Sequence, residues 1–115
     1  MHTHNIPAEQ WTPFLEEFNR TYVGWQATIE MLDTDTGPQK AAVDLALQGI
    51  SFDTKGTRPA SLQISVGGGD APHVSHVVDL PLNIRSVQDH QGNIHLQIEP
   101  ARGAPTLLHL RAPEQ

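Results

Sequence analysis

From Trp25 to Arg111 apolar and polar residues alternate with few lapses, and a short helical stretch precedes the alternation. Val23, Trp25, Ala27, Ile29 and Met31 share one parity, while Gly24, Gln26, Thr28 and Glu30 take the other. Successive side chains of a strand point to opposite faces, so such a run specifies a half-buried strand with one dry face and one wet face. Comparable runs recur over about 41–53, 61–66, 74–84, 94–98 and 106–110, which predicts six antiparallel strands. Most of the apolar residues are thereby assigned to a core, and few remain for chemistry.

Two local features say how the strands are arranged. Val43, Leu45 and Leu47 are odd-numbered, whereas Ile50 and Phe52 are even, with Gly49 at the change. A parity slip at a glycine marks a β-bulge, and a long strand bent in its middle curls a small sheet towards a barrel. In the fourth run, Val74, His76, Val78, Leu80, Leu82 and Ile84 share the inward parity, but Pro81 interrupts the ladder. Proline has no N–H to donate, so the strand there lies at an edge or changes partners.

Upstream, Trp11, Phe14, Leu15, Phe18 and Tyr22 fall on one stripe of a helix. Pro7 suits a first helical position; alternatively Thr12 caps a restarted helix with Pro13 as its first residue. The expected fold is α+β and mainly β. An N-terminal helix packs on a strongly bent six-stranded antiparallel sheet or small barrel, with Trp11, Phe14, Phe18, Trp25 and Gly49 as structural residues. One domain over 1–111 and a disordered tail over 112–115 complete this expectation.

Composition narrows the function. Only two lysines, Lys40 and Lys55, and five scattered arginines oppose the acids, leaving a net charge of −6. Nucleic-acid binders concentrate positive charge, so this balance argues against a polyanion partner, including a single-stranded RNA of the kind an Sm-like barrel binds. The absence of cysteine removes disulfides, thiolate metal sites and a cysteine nucleophile, and fits a cytoplasmic protein. No apolar run approaches the roughly 20 residues of a membrane helix, and no export signal is expected.

Seven histidines make metal the first chemistry to weigh. His73 and His76 are three apart on a strand and face opposite ways. His2 and His4 are expected on a mobile terminus. His95 and His109 are better placed. Pairing the last two strands with Ile94, Leu96 and Ile98 opposite Leu110, Leu108 and Thr106 sets His95 opposite His109 on the outer face, with Cβ atoms about 5 Å apart. Two imidazoles so placed are candidate metal ligands, although a full site takes three or four. His76, inward by parity, is expected at the rim of the core.

Other motifs carry less. Asp33-x-Asp35-x-Gly37 resembles the start of a calcium loop, but Pro38 stands where that loop needs its glycine, so a hairpin turn is expected. Gly67-Gly68-Gly69 lacks the lysine and helix of a phosphate cradle. Ser51 and Ser65 stand in strands, and Glu16 and Glu17 diverge on the helix. No catalytic residue and no cofactor are expected.

Ile6-Pro7 followed by Trp11, Phe14 and Phe18, then Gly24-Trp25, Thr28-Ile29-Glu30 and Leu47-Gln48-Gly49-Ile50-Ser51, resembles an uncharacterised bacterial family of similar length, catalogued as a domain of unknown function. The resemblance implies a stand-alone bacterial protein and no assigned activity. The function expected is a non-catalytic binding or protein-interaction module acting on an unknown protein partner or as a homodimer. Its surface would include Val77, Pro81 and Leu107: of the outward apolar residues Val77, Leu107 and Val87 one is expected under a loop or in a homodimer contact, and Pro81 with the Gly67–Pro72 loop marks an edge where a partner strand could add. The alternative is a small-ligand or metal-responsive barrel using His76, His95 and His109. Protonating seven histidines would cancel the net charge, so solubility should pass through a minimum near the sequence pI of 5.5. A turbidity series across that pH checks it.

Overall fold

The computed structural model describes residues 2–33, 35–53 and 60–113. In chain order the elements are β1 (His2–Ile6), a 3-10 turn (Ala8–Gln10), α1 (Trp11–Tyr22), β2 (Gln26–Asp33), β3 (Gly37–Asp53), β4 (Ser61–Gly68), β5 (Ala71–Asp79), β6 (Pro81–Gln88), β7 (Ile94–Pro100) and β8 (Thr106–Arg111). All neighbours are antiparallel, in the order β1-β6-β7-β8-β2-β3-β4-β5. The sheet therefore has eight strands rather than six, and it is not closed into a barrel: β1 and β5 are its edges. Residues 54–59, between the second and third expected strands, lie outside the described residues, and of the expected tail only Ala112 and Pro113 are described, neither in a strand.

The architecture turns on β3, whose 17 residues serve two partners in succession. Gly37 to Ala46 pair with β2, and Leu47 to Asp53 pair with β4. A bulge between Leu47 and Gly49 marks the transfer, as the parity slip implied. A Cβ on Gly49 would lie 3.6 Å from Asn19 Oδ1, an ordinary contact, so the glycine marks a bend and not a steric necessity. Gly67 is the opposite case. Its φ is +88°, and a Cβ there would overlap the Pro72 carbonyl oxygen at 1.8 Å.

Beyond Ala46 the side of β3 that faced β2 has no strand beside it, and its main-chain groups need other partners. Leu47 N–H donates to the Trp25 carbonyl at 2.8 Å, and Gly24 N–H donates to the Leu47 carbonyl at 2.9 Å. One step further, Asn19 on α1 acts as a strand would. Its Nδ2 donates to the Ile50 carbonyl at 2.8 Å, and its Oδ1 accepts from Ile50 N–H at 2.8 Å.

Helix α1 covers this region with its apolar stripe: Trp11, Leu15 and Phe18 are buried, and Phe14 and Tyr22 pack beside them. Trp11 meets Phe52 of β3 edge-on at 5.2 Å, and Tyr22 meets Trp25 at 4.8 Å. Neither expected helix start is observed. A 3-10 turn follows Pro7, Gln10 stands at the N-cap, and Pro13 is the third helical residue, where its missing N–H would have had no intrahelical partner.

The run expected as one strand over 74–84 is two. At Leu80 φ is +51°, and the chain passes from β5, beside β4, to β6, beside β7 and β1. Leu80 N–H donates to the Ala60 carbonyl and its own carbonyl accepts from Ala101 N–H, both at 2.8 Å, so one residue ties the start of β4 to the end of β7. The kink breaks the parity. Leu80 and Leu82, expected inward, are exposed, and Pro81, expected on the interaction surface, is buried. Val43 is likewise exposed because a bulge near Asp44, whose φ is +52°, lets Ala42 take the inward place.

The N-terminus also departs from expectation. His2 to Ile6 pair with Gln88 to Ile84 as an edge strand, and Asn5 Oδ1 accepts from Arg85 Nε at 3.0 Å. One buried cluster joins α1 to both parts of the sheet.

Replacing Asn19 by alanine would leave a half-buried N–H and carbonyl on Ile50 without partners. Each such loss costs about 1 kcal/mol or more, so a destabilisation of about 2–3 kcal/mol is expected in urea unfolding. Gly49→Ala should cost under about 1 kcal/mol.

Candidate functional site

The last hairpin is built in the register expected from sequence: Ile94, His95, Leu96 and Ile98 face Leu110, His109, Leu108 and Thr106. The even-numbered members are buried, which leaves His95 and His109 side by side on the outer face. Their ring centroids are 5.0 Å apart, and the two Nδ1 atoms are 2.8 Å apart, a hydrogen bond. Both side chains are about one-third exposed.

Two carboxylates that sequence reasoning did not connect to this pair bracket it. Asp89 Oδ2 lies 3.0 Å from His95 Nε2, and Glu30 Oε1 lies 3.7 Å from His109 Nε2. Asp89 opens the β6–β7 turn, where its Oδ1 accepts from the N–H groups of Gln91 and Asn93 at 2.9 and 3.0 Å. The turn thus orients a carboxylate whose second oxygen is free for His95. Glu30 arrives through the pairing of β2 with β8, in which Glu30 stands opposite Leu107, next to His109 opposite Thr28. An acid at the head of a turn six residues before a histidine was a readable signal for Asp89. Nothing local in the sequence announces Glu30, because that contact depends on which strands become neighbours.

The arrangement is a line, Asp89–His95–His109–Glu30, and the network sets its tautomers. His95 Nε2 donates to Asp89, so in the neutral ring Nδ1 is bare and accepts from His109 Nδ1–H. His109 Nε2 then carries the lone pair, which suits its longer separation from Glu30. The hydrogen bond from His95, with help from the turn amides, lowers the Asp89 carboxyl from its ordinary 3.8 to about 2. Burial, and then the neighbouring His95 charge, push His109 below its ordinary value against the pull of Glu30. Beside the pair is a shallow opening of about 140 Å³ lined by Thr28, Asp44, Asn93 and Arg111 together with both imidazoles. Asp44 and Arg111 pair across it at 3.2 Å. Among the described residues no group of three or more His, Asp or Glu converges as a metal cage.

The other candidates are dispersed. His76 is half-buried at the core rim, as expected. Its Nε2 lies 3.0 Å from the Oγ1 of buried Thr106, and burial lowers its pKa. Val77 is exposed on β5. Leu107 is half-buried in the middle of the outer face, between Gln97 of β7 and Glu30 of β2, and so is not part of the β5 edge. Val87 is half-buried in a cross-strand row between Thr3 and His95. Asp33 Oδ1 accepts from the N–H groups of Asp35 and Thr36, which makes that segment a hairpin turn.

Two acid windows follow from these pKa directions. His76 and His109 bind protons less tightly folded than unfolded, so stability is full above about 6.5 and falls as pH drops below it. Asp89 contributes stability above its ordinary 3.8, which is lost as pH falls towards 2. Thermal unfolding should show Asp89→Asn less stable than the parent at pH 5, with the gap closing by about pH 2. His76→Gln should flatten the decline between about pH 7 and 5.

No helix among the described residues is long and apolar enough to cross a membrane. Comparison with curated proteins and with solved structures gives no match. A family model described as a family of unknown function, DUF5335, matches residues 2–115, nearly the whole chain. By that match, as the aromatics of α1 and the strand residues around Gly49 suggested, the protein belongs to the DUF5335 family.

Proposed function

We propose that this protein is a non-catalytic interaction module whose working surface is the corner where β5 passes into β6, and that its partner there is a second copy of the chain. The observation that carries this reading is the exposure of three large apolar side chains within six residues: Val77 at 50%, Leu80 at 43% and Leu82 at 61%. Scattered apolar residues are normal on any surface, but a close group at a sheet edge is a recognised docking feature. The sole ionic side chain in that stretch is Asp79, so a two-fold contact can bring apolar groups together with little charge to desolvate.

The magnitudes favour a transient contact. Full burial of a valine or leucine is worth about 1.5–3 kcal/mol, so six half-covered side chains contribute about 6 kcal/mol. Lost translational and rotational freedom is of the same order or larger, so the side chains alone roughly break even, and a Kd of about 1 mM, about 4 kcal/mol net, is reached only where the free edge of β5 adds main-chain bonds. Each copy also carries a net charge of −6, so screening by salt should strengthen the contact.

Sedimentation across a wide concentration range should show weak, salt-promoted dimerisation that a Val77→Lys, Leu82→Lys variant loses. A chain that stays monomeric at millimolar concentration in high salt, or a variant that associates as well as the parent, contradicts the proposal.

A further inference from the structure

We propose that His95 and His109 together form a binding site for a divalent copper ion, held through their two Nδ1 atoms with Asp89 and Glu30 as the outer partners of the rings. This site is independent of the self-association proposed above, since it lies on the outer face of β7 and β8 and not at the β5–β6 corner.

Three observations meet here. First, adjacent corners of a square-planar site with bonds of about 2.0 Å are about 2.8 Å apart, whereas two ligands of a tetrahedral zinc are about 3.3 Å apart. The Nδ1 atoms of His95 and His109 are already 2.8 Å apart. Binding needs a rotation of the rings that turns both lone pairs towards one point, with no separation of the strands. Second, a metal-ligating histidine characteristically donates its other ring N–H to a carboxylate, which fixes the tautomer and raises ligand basicity. Asp89 already accepts from His95 Nε2 at 3.0 Å, and Glu30, 3.7 Å from His109 Nε2, stands where it can take the same role once that ring changes tautomer. Third, the adjoining opening of about 140 Å³ has room for more than one water, which could complete the remaining corners.

The protons balance without a co-reactant. In the neutral pair one proton lies on His95 Nε2 and the other on His109 Nδ1. The ion displaces the second, which moves to His109 Nε2, where Glu30 accepts the hydrogen bond. Both Nδ1 lone pairs are then free for the metal, and the total number of protons is unchanged. The two carboxylates also offset part of the added charge. With only two protein ligands the site depends on the ion that binds nitrogen most strongly, which in the first-row series is copper.

The test is titration of Cu²⁺ into the full chain carrying His2→Ala and His4→Ala, which removes the histidines nearest the terminal amine. One equivalent should bind, with electron paramagnetic resonance showing splitting from two imidazole nitrogens in a tetragonal field. His95→Gln and His109→Gln should each weaken binding about tenfold or more, and Asp89→Asn should weaken it about tenfold through the ring it orients. Zn²⁺ should bind more weakly than Cu²⁺. Copper binding of unchanged strength in the His95→Gln, His109→Gln double variant would place the ion elsewhere and overturn the proposal. A spectrum with a single nitrogen donor, recorded on the chain with both histidines intact, would do the same without relying on any variant at the site. Zinc binding as tight as copper would refute the square-planar geometry.

Discussion

The main-chain groups of β3 beyond Ala46 have lost β2 as a partner, and the rest of the molecule is arranged around satisfying them. Leaving a buried N–H or carbonyl unpaired costs as much as several ordinary contacts return. The Gly24–Trp25 turn takes the first pair of groups, and the Asn19 side chain takes the next, with both ends of its amide on Ile50. A single asparagine thus fixes the helix against the bend. Once it is there, Trp11, Leu15 and Phe18 bury their stripe, and the strand can leave one part of the sheet for the other without stranding its polar groups.

The second tie is at Leu80. The bend in β3 carries the sheet round in one direction, and Leu80 brings the chain back, holding the start of β4 and the end of β7 through its own N–H and carbonyl. Pro81 follows, and a residue without a donor is well suited to a point where the ladder changes partner. The cost is a leucine at positive φ and two exposed leucines at one corner. The exposure of large apolar side chains there is the physical ground for the interaction proposed at this corner.

Periodicity carried the sequence reading a long way. It located the bend at Gly49, the helix stripe and the register of the last hairpin, because each rests on a burial pattern within one or two segments. It failed where the pattern was broken by backbone geometry or was absent. Leu80 and Asp44 take φ values that parity counting cannot anticipate, so Leu82 and Val43 were placed on the wrong face. The strand at His2–Ile6 is short and polar, with Ile6 its one large apolar residue, and edge strands of that kind leave little periodic signal. Both omissions raised the strand number from six to eight. The histidine pair was legible because hairpin register is local. Its carboxylates were not: Glu30 is 79 residues from His109 in sequence and reaches it only through the β2–β8 pairing.

Hydrogen exchange at the Ile50 amide tests the central claim most directly, since this proton is donated to a side chain and not to a neighbouring strand. If Asn19 serves as the missing strand, Ile50 N–H should exchange only through global unfolding, as slowly as the amides of the buried core strands. Fast exchange at Ile50 while those amides remain protected would mean that the helix merely rests on the bend, and would contradict the role of Asn19 in holding the two together.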